Sequence, residues 1–207
     1  MDVYCLKVTY KCNWDCSYCC SDTHSQPTLS FDTIKKNLET IKPNSEVSLS
    51  GGEPGFAKRD VIEYVFDELK KKNCRIIIDT NGAFFTRYPE FCPDVYSFFY
   101  HFSEDLDIND EPHIPDPSYR VEYVLVITDK TMHRLGPFLD KYPDILFTVR
   151  GADPAEVKGK PGDSLSTKNG IAVIRQFKDR IDRESTVRLL EQCTNMCIVE
   201  EKMKILS

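Results

Sequence analysis

The sequence of 207 residues predicts an α/β fold, a partial (β/α)6 TIM-like barrel with parallel strands and an open side. Short apolar runs alternate along the chain with amphipathic stretches, which is the order that a parallel sheet with right-handed crossovers requires. Six strand–helix units can be placed, whereas a closed eightfold barrel usually needs about 250 residues. The barrel is therefore predicted to stay open on one side.

The first half of the chain is predicted to supply three strands, at 3–9, 46–50 and 75–79. The third strand reads RIIID, a nearly continuous apolar run that is typical of a buried parallel strand. Apolar residues at helical spacing predict helices at 30–41 and 61–72. Ser30 is the expected N-cap of the first helix, and Pro43 is expected to stop it.

The second half is predicted to add three strands, at 95–102, 121–127 and 145–149. Helical spacing favours helices at 131–141 and 166–181, and the aromatic stretch 82–93 is expected to form one broken helix. Two stretches rich in proline and acidic residues are expected to be loops, at 104–119 and 151–164.

A single domain is predicted, since this length suits one hydrophobic core and no repeat or linker interrupts the chain. Residues 1–150 are expected to form the barrel core. Residues 151–207 are expected to form a C-terminal helix and a short extension packed on that core, with a last strand at 198–206.

Composition limits the classes of partner and the cellular location that are expected for this protein. The net charge of −6 argues against broad binding to nucleic acid or to an anionic membrane, although local basic stretches such as 70–72 leave nucleic acid possible as a partner. The sequence has neither a signal-peptide pattern nor an apolar window that could span a bilayer, so a cytoplasmic protein is predicted. In a reducing compartment, nine cysteines indicate metal binding or chemistry rather than disulfides.

Residues 12–19 read CNWDCSYC, a C-x3-C-x2-C pattern directly after the first predicted strand. Structural zinc takes four protein ligands, and iron–sulfur clusters usually take four cysteine thiolates. Three thiolates on a four-iron cubane would leave one iron open to a substrate or cofactor. The predicted metal ligands are Cys12, Cys16 and Cys19, and the neighbouring Cys20 is expected to be a bystander thiol.

The cysteine loop, Gly51-Gly52 and Asn81-Gly82 all follow predicted strands. In parallel α/β folds the functional site lies at the carboxyl ends of the strands, so these segments are expected to meet there.

Two motifs together resemble the signature of the radical S-adenosylmethionine (radical SAM) superfamily. The first is the cysteine trio with Tyr18 just before its third cysteine, and the second is Gly-Gly-Glu-Pro at 51–54 after the second strand. The resemblance implies a [4Fe-4S] cluster on the three cysteines, with the open iron chelating the amine and carboxylate of S-adenosylmethionine. The residues that it places against this cofactor are Tyr18, Gly51, Gly52, Glu53, Pro54, Asn81, Ser103 and Arg150.

Within that resemblance, Tyr18 would lie near the adenine, and the turn at 51–54 would bind the methionine amino group, with Glu53 as an anionic partner. For Asn81, a turn residue in the left-handed conformation is an equal alternative. Ser103 and Arg150 are alternatively surface residues.

The resemblance implies an enzyme that cleaves S-adenosylmethionine reductively to a 5′-deoxyadenosyl radical. The radical would abstract hydrogen from a small polar or nucleoside-type substrate, and a flavodoxin or ferredoxin would supply the electron. A peptide- or protein-modifying enzyme, such as a glycyl-radical activase, is the alternative. His101 and Asp79 are candidates to point into the barrel, and a core histidine is the other interpretation of His101.

Two further alternatives stay open. A non-catalytic zinc or redox module would explain the clustered cysteines but not the Gly-Gly-Glu-Pro turn. Cys193 and Cys197 form a C-x3-C pair that either binds an auxiliary cluster or remains as two reduced thiols.

Overall fold

A computed structural model describes the chain over residues 1–16, 19, 29–103, 116–151, 165, 167–177 and 179–181. Several features discussed above lie outside these residues, wholly or for the most part: Tyr18, Cys20, Cys193, Cys197, the predicted strand at 198–206 and the predicted loops at 104–119 and 151–164. Within the described ranges, none of the helices combines the length and the apolar character that a membrane crossing requires.

Six strands form one open sheet in which each strand neighbours the next one along the chain. They are β1 (Val3–Thr9), β2 (Glu46–Gly51), β3 (Arg75–Thr80), β4 (Ser97–His101), β5 (Val121–Ile127) and β6 (Phe147–Gly151). The strand pairs whose register is described are parallel. Parallel strands that alternate with helices confirm the predicted α/β class and are consistent with a partial TIM-like barrel.

In the described ranges, five α-helices connect or follow these strands: α1 (Phe31–Thr40), α2 (Arg59–Lys71), α3 (Ala83–Arg87), α4 (Leu135–Lys141) and α5 (Thr167–Phe177). The predicted cap of α1 is present, because the Ser30 side chain accepts a hydrogen bond from the Thr33 N–H at 3.1 Å. The aromatic stretch predicted to be a broken helix is α3 followed by a 3-10 helix, Pro89–Asp94.

Two of the strands begin later than predicted because turn hydrogen bonds occupy the residues before them. β4 begins two residues later than predicted, since the Val95 N–H bonds to the Cys92 carbonyl at 3.1 Å. β6 also begins two residues later, since the Ile145 N–H bonds to the Tyr142 carbonyl at 3.3 Å. Both amides are used in turns, so neither can join the sheet at that point.

Contacts divide the chain into two compact units. The first comprises Met1–Asp15, Ser21–His101 and Pro112–Glu122, and the second comprises Cys16–Cys20, Phe102–Glu111 and Tyr123–Ser207. The placement of a boundary at residue 150 stays a prediction.

In the first unit, the core lies between the sheet and its helices. α1 contacts β1 and α2 contacts β3. The α2 side chains that are buried recur at helical spacing, at Val61, Ile62, Val65, Phe66 and Leu69. The strand residues that face them are almost fully buried: Leu6, Val47, Leu49, Ile76, Ile78 and Phe98. The packed side of this sheet is therefore apolar, as the sequence pattern predicts.

In the second unit, α4 packs against β6. The rings of Phe138 and Phe147 have centroids 5.7 Å apart in an edge-on arrangement, and both side chains are fully buried. Such pairs add about 0.5–1.5 kcal/mol to the free energy of apolar burial. This aromatic contact fixes α4 on the sheet of its own unit.

Candidate functional site

The turn that ends β2 lies against the chain segment that leaves β1. The Gly52 N–H donates to the Thr9 carbonyl at 2.7 Å, and the Glu53 N–H donates to the Lys11 carbonyl at 2.9 Å. These two bonds extend the pairing of β1 and β2 beyond the sheet. They bring the Gly-Gly-Glu-Pro turn next to the start of the cysteine loop, so the two sequence motifs meet at the carboxyl ends of the strands.

Both glycines of the turn are required by the close approach of backbone atoms. Gly51 has φ of +115°, and a Cβ atom there would lie 2.4 Å from the Thr9 carbonyl oxygen. A Cβ atom on Gly52 would lie 2.3 Å from the Lys11 carbonyl oxygen. Backbone atoms cannot rotate away as a side chain can, so only glycine allows the turn to approach the loop this closely.

Replacing Gly52 with alanine is therefore expected to separate the turn from the loop. We expect a loss of about 2–3 kcal/mol in the free energy of unfolding, typical of a clash that the backbone must relieve. Urea titration followed by circular dichroism measures this change. Gly136→Ala is the matched control, because the added Cβ would meet only the Phe177 ring at 3.3 Å. An equal loss in both variants would contradict the close approach.

Glu53 is a buried carboxylate whose exposed fraction is 2%. Its Oε1 atom accepts hydrogen bonds from the Gly55 N–H and the Thr80 hydroxyl, both at 2.8 Å. Its Oε2 atom accepts from the Asn81 N–H at 2.7 Å. Glu53 therefore joins the β2 turn to the end of β3.

The environment of Glu53 acts on its pKa in two directions. Burial raises the pKa of this carboxyl above its usual value, because a charge loses its hydration in the protein interior. The donated hydrogen bonds oppose this effect, and burial is the larger influence. The two backbone N–H groups and the hydroxyl that contact Glu53 all donate hydrogen bonds, so both of its carboxylate oxygens act as acceptors.

Asn81 connects the end of β3 to the cysteine loop. Its Nδ2 atom donates to the Asn13 Oδ1 atom at 2.8 Å and lies 3.9 Å from the Cys12 sulfur. The alternative in which Asn81 adopts the left-handed conformation is wrong: the positive φ belongs to the next residue, Gly82, at +102°. The asparagine side chain is thereby directed to the loop while glycine makes the turn.

Cys12 is half-buried, and its sulfur accepts a hydrogen bond from the Trp14 N–H at 3.4 Å. Burial raises the pKa of the Cys12 thiol, and the nearby charge of Glu53 raises it further. Backbone N–H groups, that of Trp14 above all, have the opposite effect. A metal that binds this sulfur must displace the thiol proton.

The other two cysteines of the motif are placed in the second unit. The Cys19 N–H donates to the Cys16 carbonyl at 3.0 Å, so a backbone hydrogen bond joins these two residues. In the described part of the chain, no group of three or more His, Cys, Asp or Glu side chains is arranged to hold a metal ion. The donor chemistry nevertheless fits an iron–sulfur cluster, because cysteine thiolates that accept backbone N–H bonds are its usual ligands.

The remaining predicted residues are distributed as follows. Pro54 is buried and begins a 3-10 helix, Pro54–Phe56. Ser103 follows β4 and Arg150 lies within β6, opposite Val126; both are half-buried and belong to the second unit. The structure thus brings together Cys12, the turn at 51–54 and Asn81.

Two contributors to this arrangement were not identified from the sequence. Thr80 is 1% exposed, and its hydroxyl donates to Glu53 and accepts from the Gly82 N–H at 3.0 Å. Asn13 holds the Asn81 side chain. The sequence did hold a signal for Thr80, because it is the polar residue directly before the Asn-Gly pair that ends the strand. The sequence held no such signal for Asn13.

One family model matches the first part of the chain. Residues 6–96 match the family model described as Radical SAM superfamily. This range contains both sequence motifs and the Glu53–Asn81 contact. No curated protein matches the chain.

Solved structures share the fold. A structure of native anSMEcpe with bound AdoMet and a peptide is 20% identical, with a TM-score of 0.61 over 86% of this chain and 59% of that one. A histidine-tagged form of anSMEcpe with bound AdoMet is 17% identical, with a TM-score of 0.60 over 86% of this chain and 58% of that one. The chain therefore spans just under three fifths of the length of these proteins.

Proposed function

We propose that this chain uses a [4Fe-4S] cluster and S-adenosylmethionine to abstract hydrogen from a small polar or nucleoside-type substrate, because residues 6–96 match the radical SAM superfamily model. The superfamily is one of enzymes, and it implies both cofactors. The observation that carries the proposal is the contact between the two motifs. The turn at 51–54 bonds to the segment that enters the cysteine loop.

We assign the cluster to Cys12, Cys16 and Cys19. The residues proposed to contact S-adenosylmethionine are Tyr18, Gly51, Gly52, Glu53, Pro54, Asn81, Ser103 and Arg150. When bound, the two cofactors supply a 5′-deoxyadenosyl radical through one-electron cleavage of the C5′–S bond.

The protein's contribution is to bind, to orient and to exclude water. Gly51 and Gly52 allow the turn to lie against the segment that enters the cysteine loop, because a side chain at either position would clash with the Thr9 or Lys11 carbonyl oxygen. Glu53 also holds this turn against Asn81, because its two oxygens accept three hydrogen bonds within the protein. Asn81 in turn places its amide beside Cys12.

A peptide or protein substrate is the second candidate. The supporting observation is the likeness to anSMEcpe, one structure of which holds a peptide. The two candidates predict different stimulators of 5′-deoxyadenosine formation. Nucleosides and small polar compounds would stimulate it in the first case, and peptides would stimulate it in the second.

A flavodoxin or ferredoxin is the proposed electron donor. A cytoplasmic location belongs to the same proposal, because thiolate ligands need a reducing compartment.

Anaerobic reconstitution with iron and sulfide tests the proposed function. We expect the visible absorbance of a [4Fe-4S] cluster, and 5′-deoxyadenosine after dithionite and S-adenosylmethionine are added. Stoichiometric zinc without cluster absorbance would instead support the non-catalytic module. A cluster that never yields 5′-deoxyadenosine, with or without candidate substrates, would leave only a binding role.

A further inference from the structure

The sheet of the first unit has a second face, opposite the helices, that is polar and partly exposed. Side chains alternate between the two faces of a strand, so the residues between the buried ones point to this second face. On β1 to β4 its polar members include Cys5, Lys7, Ser48, Ser50, Asp79 and His101. Below, these six residues are called the polar face. A polar surface on a sheet whose other side is an apolar core is suited to binding.

Asp79 is at the centre of the polar face. Its Oδ2 atom accepts a hydrogen bond from the Ser48 hydroxyl at 2.5 Å, across the β2–β3 pair. Its Oδ1 atom lies 3.9 Å from the His101 Nε2 atom, which is beyond hydrogen-bond distance. An ionised carboxylate has about four acceptor sites on its two oxygens. Asp79 thus retains acceptor capacity, and its side chain is 30% exposed.

An aromatic residue on the neighbouring strand shares this face with Asp79. Phe99 on β4 is opposite Asp79 in the register, and it is half-buried. Residues in register on neighbouring strands project to the same face, and the strands lie about 4.8 Å apart. A flat group can pass alongside this ring and donate N–H bonds from its edge to the carboxylate.

The position of Asp79 connects the polar face to the cofactor residues. Thr80 and Asn81 follow Asp79 and bond to Glu53. A substrate held by Asp79 would therefore lie at the strand end where the turn at 51–54 and Cys12 are found. In parallel α/β folds, ligands bind at this end of the sheet.

We propose that Asp79 is a substrate-binding residue, fixed by Ser48 and flanked by Phe99, and that it takes a planar substrate group with N–H donors, such as an amidine or an amino-substituted ring. The inference rests on the proposed function and narrows its substrate class. It also gives Ser48 a role, since the hydroxyl holds one carboxylate oxygen so that the other faces the ligand.

Binding of benzamidine to the full, cluster-reconstituted chain tests this inference, with benzyl alcohol as the probe that lacks N–H donors. Anaerobic calorimetry should give a dissociation constant in the millimolar range for benzamidine. We expect Asp79→Asn to weaken it about tenfold or more, as the loss of a charged acceptor does, and Ser48→Ala to weaken it by about two- to fivefold. Asp67→Asn, an exposed aspartate on α2, should match the wild type.

The outcomes separate this inference from the proposed function. If benzamidine fails to bind the wild type, or binds both folded variants as it binds the wild type, the role of Asp79 is wrong. If Asp79→Asn does not fold, the affinity of Ser48→Ala for benzamidine decides instead. An affinity equal to that of the wild type would then show that the role of Asp79 is wrong. Cleavage of S-adenosylmethionine by the wild type is measured separately, so a protein that binds benzamidine through Asp79 without cleaving S-adenosylmethionine would overturn only the proposed function.

Discussion

Replacing Cys16 with alanine is expected to abolish both the visible absorbance of the reconstituted cluster and the formation of 5′-deoxyadenosine. Three thiolates are the whole protein ligand set in the proposed site, so the loss of one leaves two irons without a protein ligand. Such a cluster is not retained through desalting. Iron and sulfide content after desalting, together with product formation under dithionite, measures the effect.

Cys20→Ala provides the matched control, because it removes a thiol one residue beyond the motif. We expect this variant to keep the wild-type iron content and absorbance. The comparison tests the ligand assignment directly. If Cys20→Ala lost the cluster while Cys16→Ala kept it, the C-x3-C-x2-C interpretation would be wrong and the ligand set would include Cys20.

Much of the fold could be predicted because its elements have strong local signals. RIIID is apolar on both sides and falls on β3, and the helical spacing of Val61, Val65 and Leu69 falls on α2. Errors occurred where a turn hydrogen bond decided the boundary, as at the start of β4 and of β6. Whether such a turn hydrogen bond forms depends on how the neighbouring helix or strand is placed. The pattern of residue types does not encode that placement.

The candidate site was predictable in position but not in contacts. The rule that parallel strands meet at one end placed Cys12, the turn at 51–54 and Asn81 together. The direction of the Glu53 side chain could not be derived, because it depends on Thr80 and Asn81, which lie 27 and 28 residues further along the chain. The anionic contact to the cofactor that the sequence suggested stays a prediction, and the structure adds the bonds of the carboxylate within the protein.

Glu53→Gln is the sharpest test of that internal role. The glutamine side chain is nearly the same size, but it presents an NH2 group where one carboxylate oxygen now accepts. At least one donor, the Asn81 N–H or the pair from Gly55 and Thr80, would then face another donor in a buried position. Each buried donor left without an acceptor costs about 1–3 kcal/mol. We expect the free energy of unfolding to fall by this amount and the affinity for S-adenosylmethionine to fall with it.

Urea denaturation of the apoprotein and calorimetry of the reconstituted protein give the two quantities. Glu39→Gln, an exposed glutamate on α1, controls for the change of charge and should alter neither. The two roles of Glu53 predict different patterns. If the carboxylate acted only on the methionine amino group, the variant would lose affinity while its unfolding free energy stayed at the wild-type value. If the hydrogen bonds from β3 hold the turn, we expect the variant to lose both affinity for S-adenosylmethionine and unfolding free energy. The Asn81 amide signal should also shift in NMR spectra of the apoprotein.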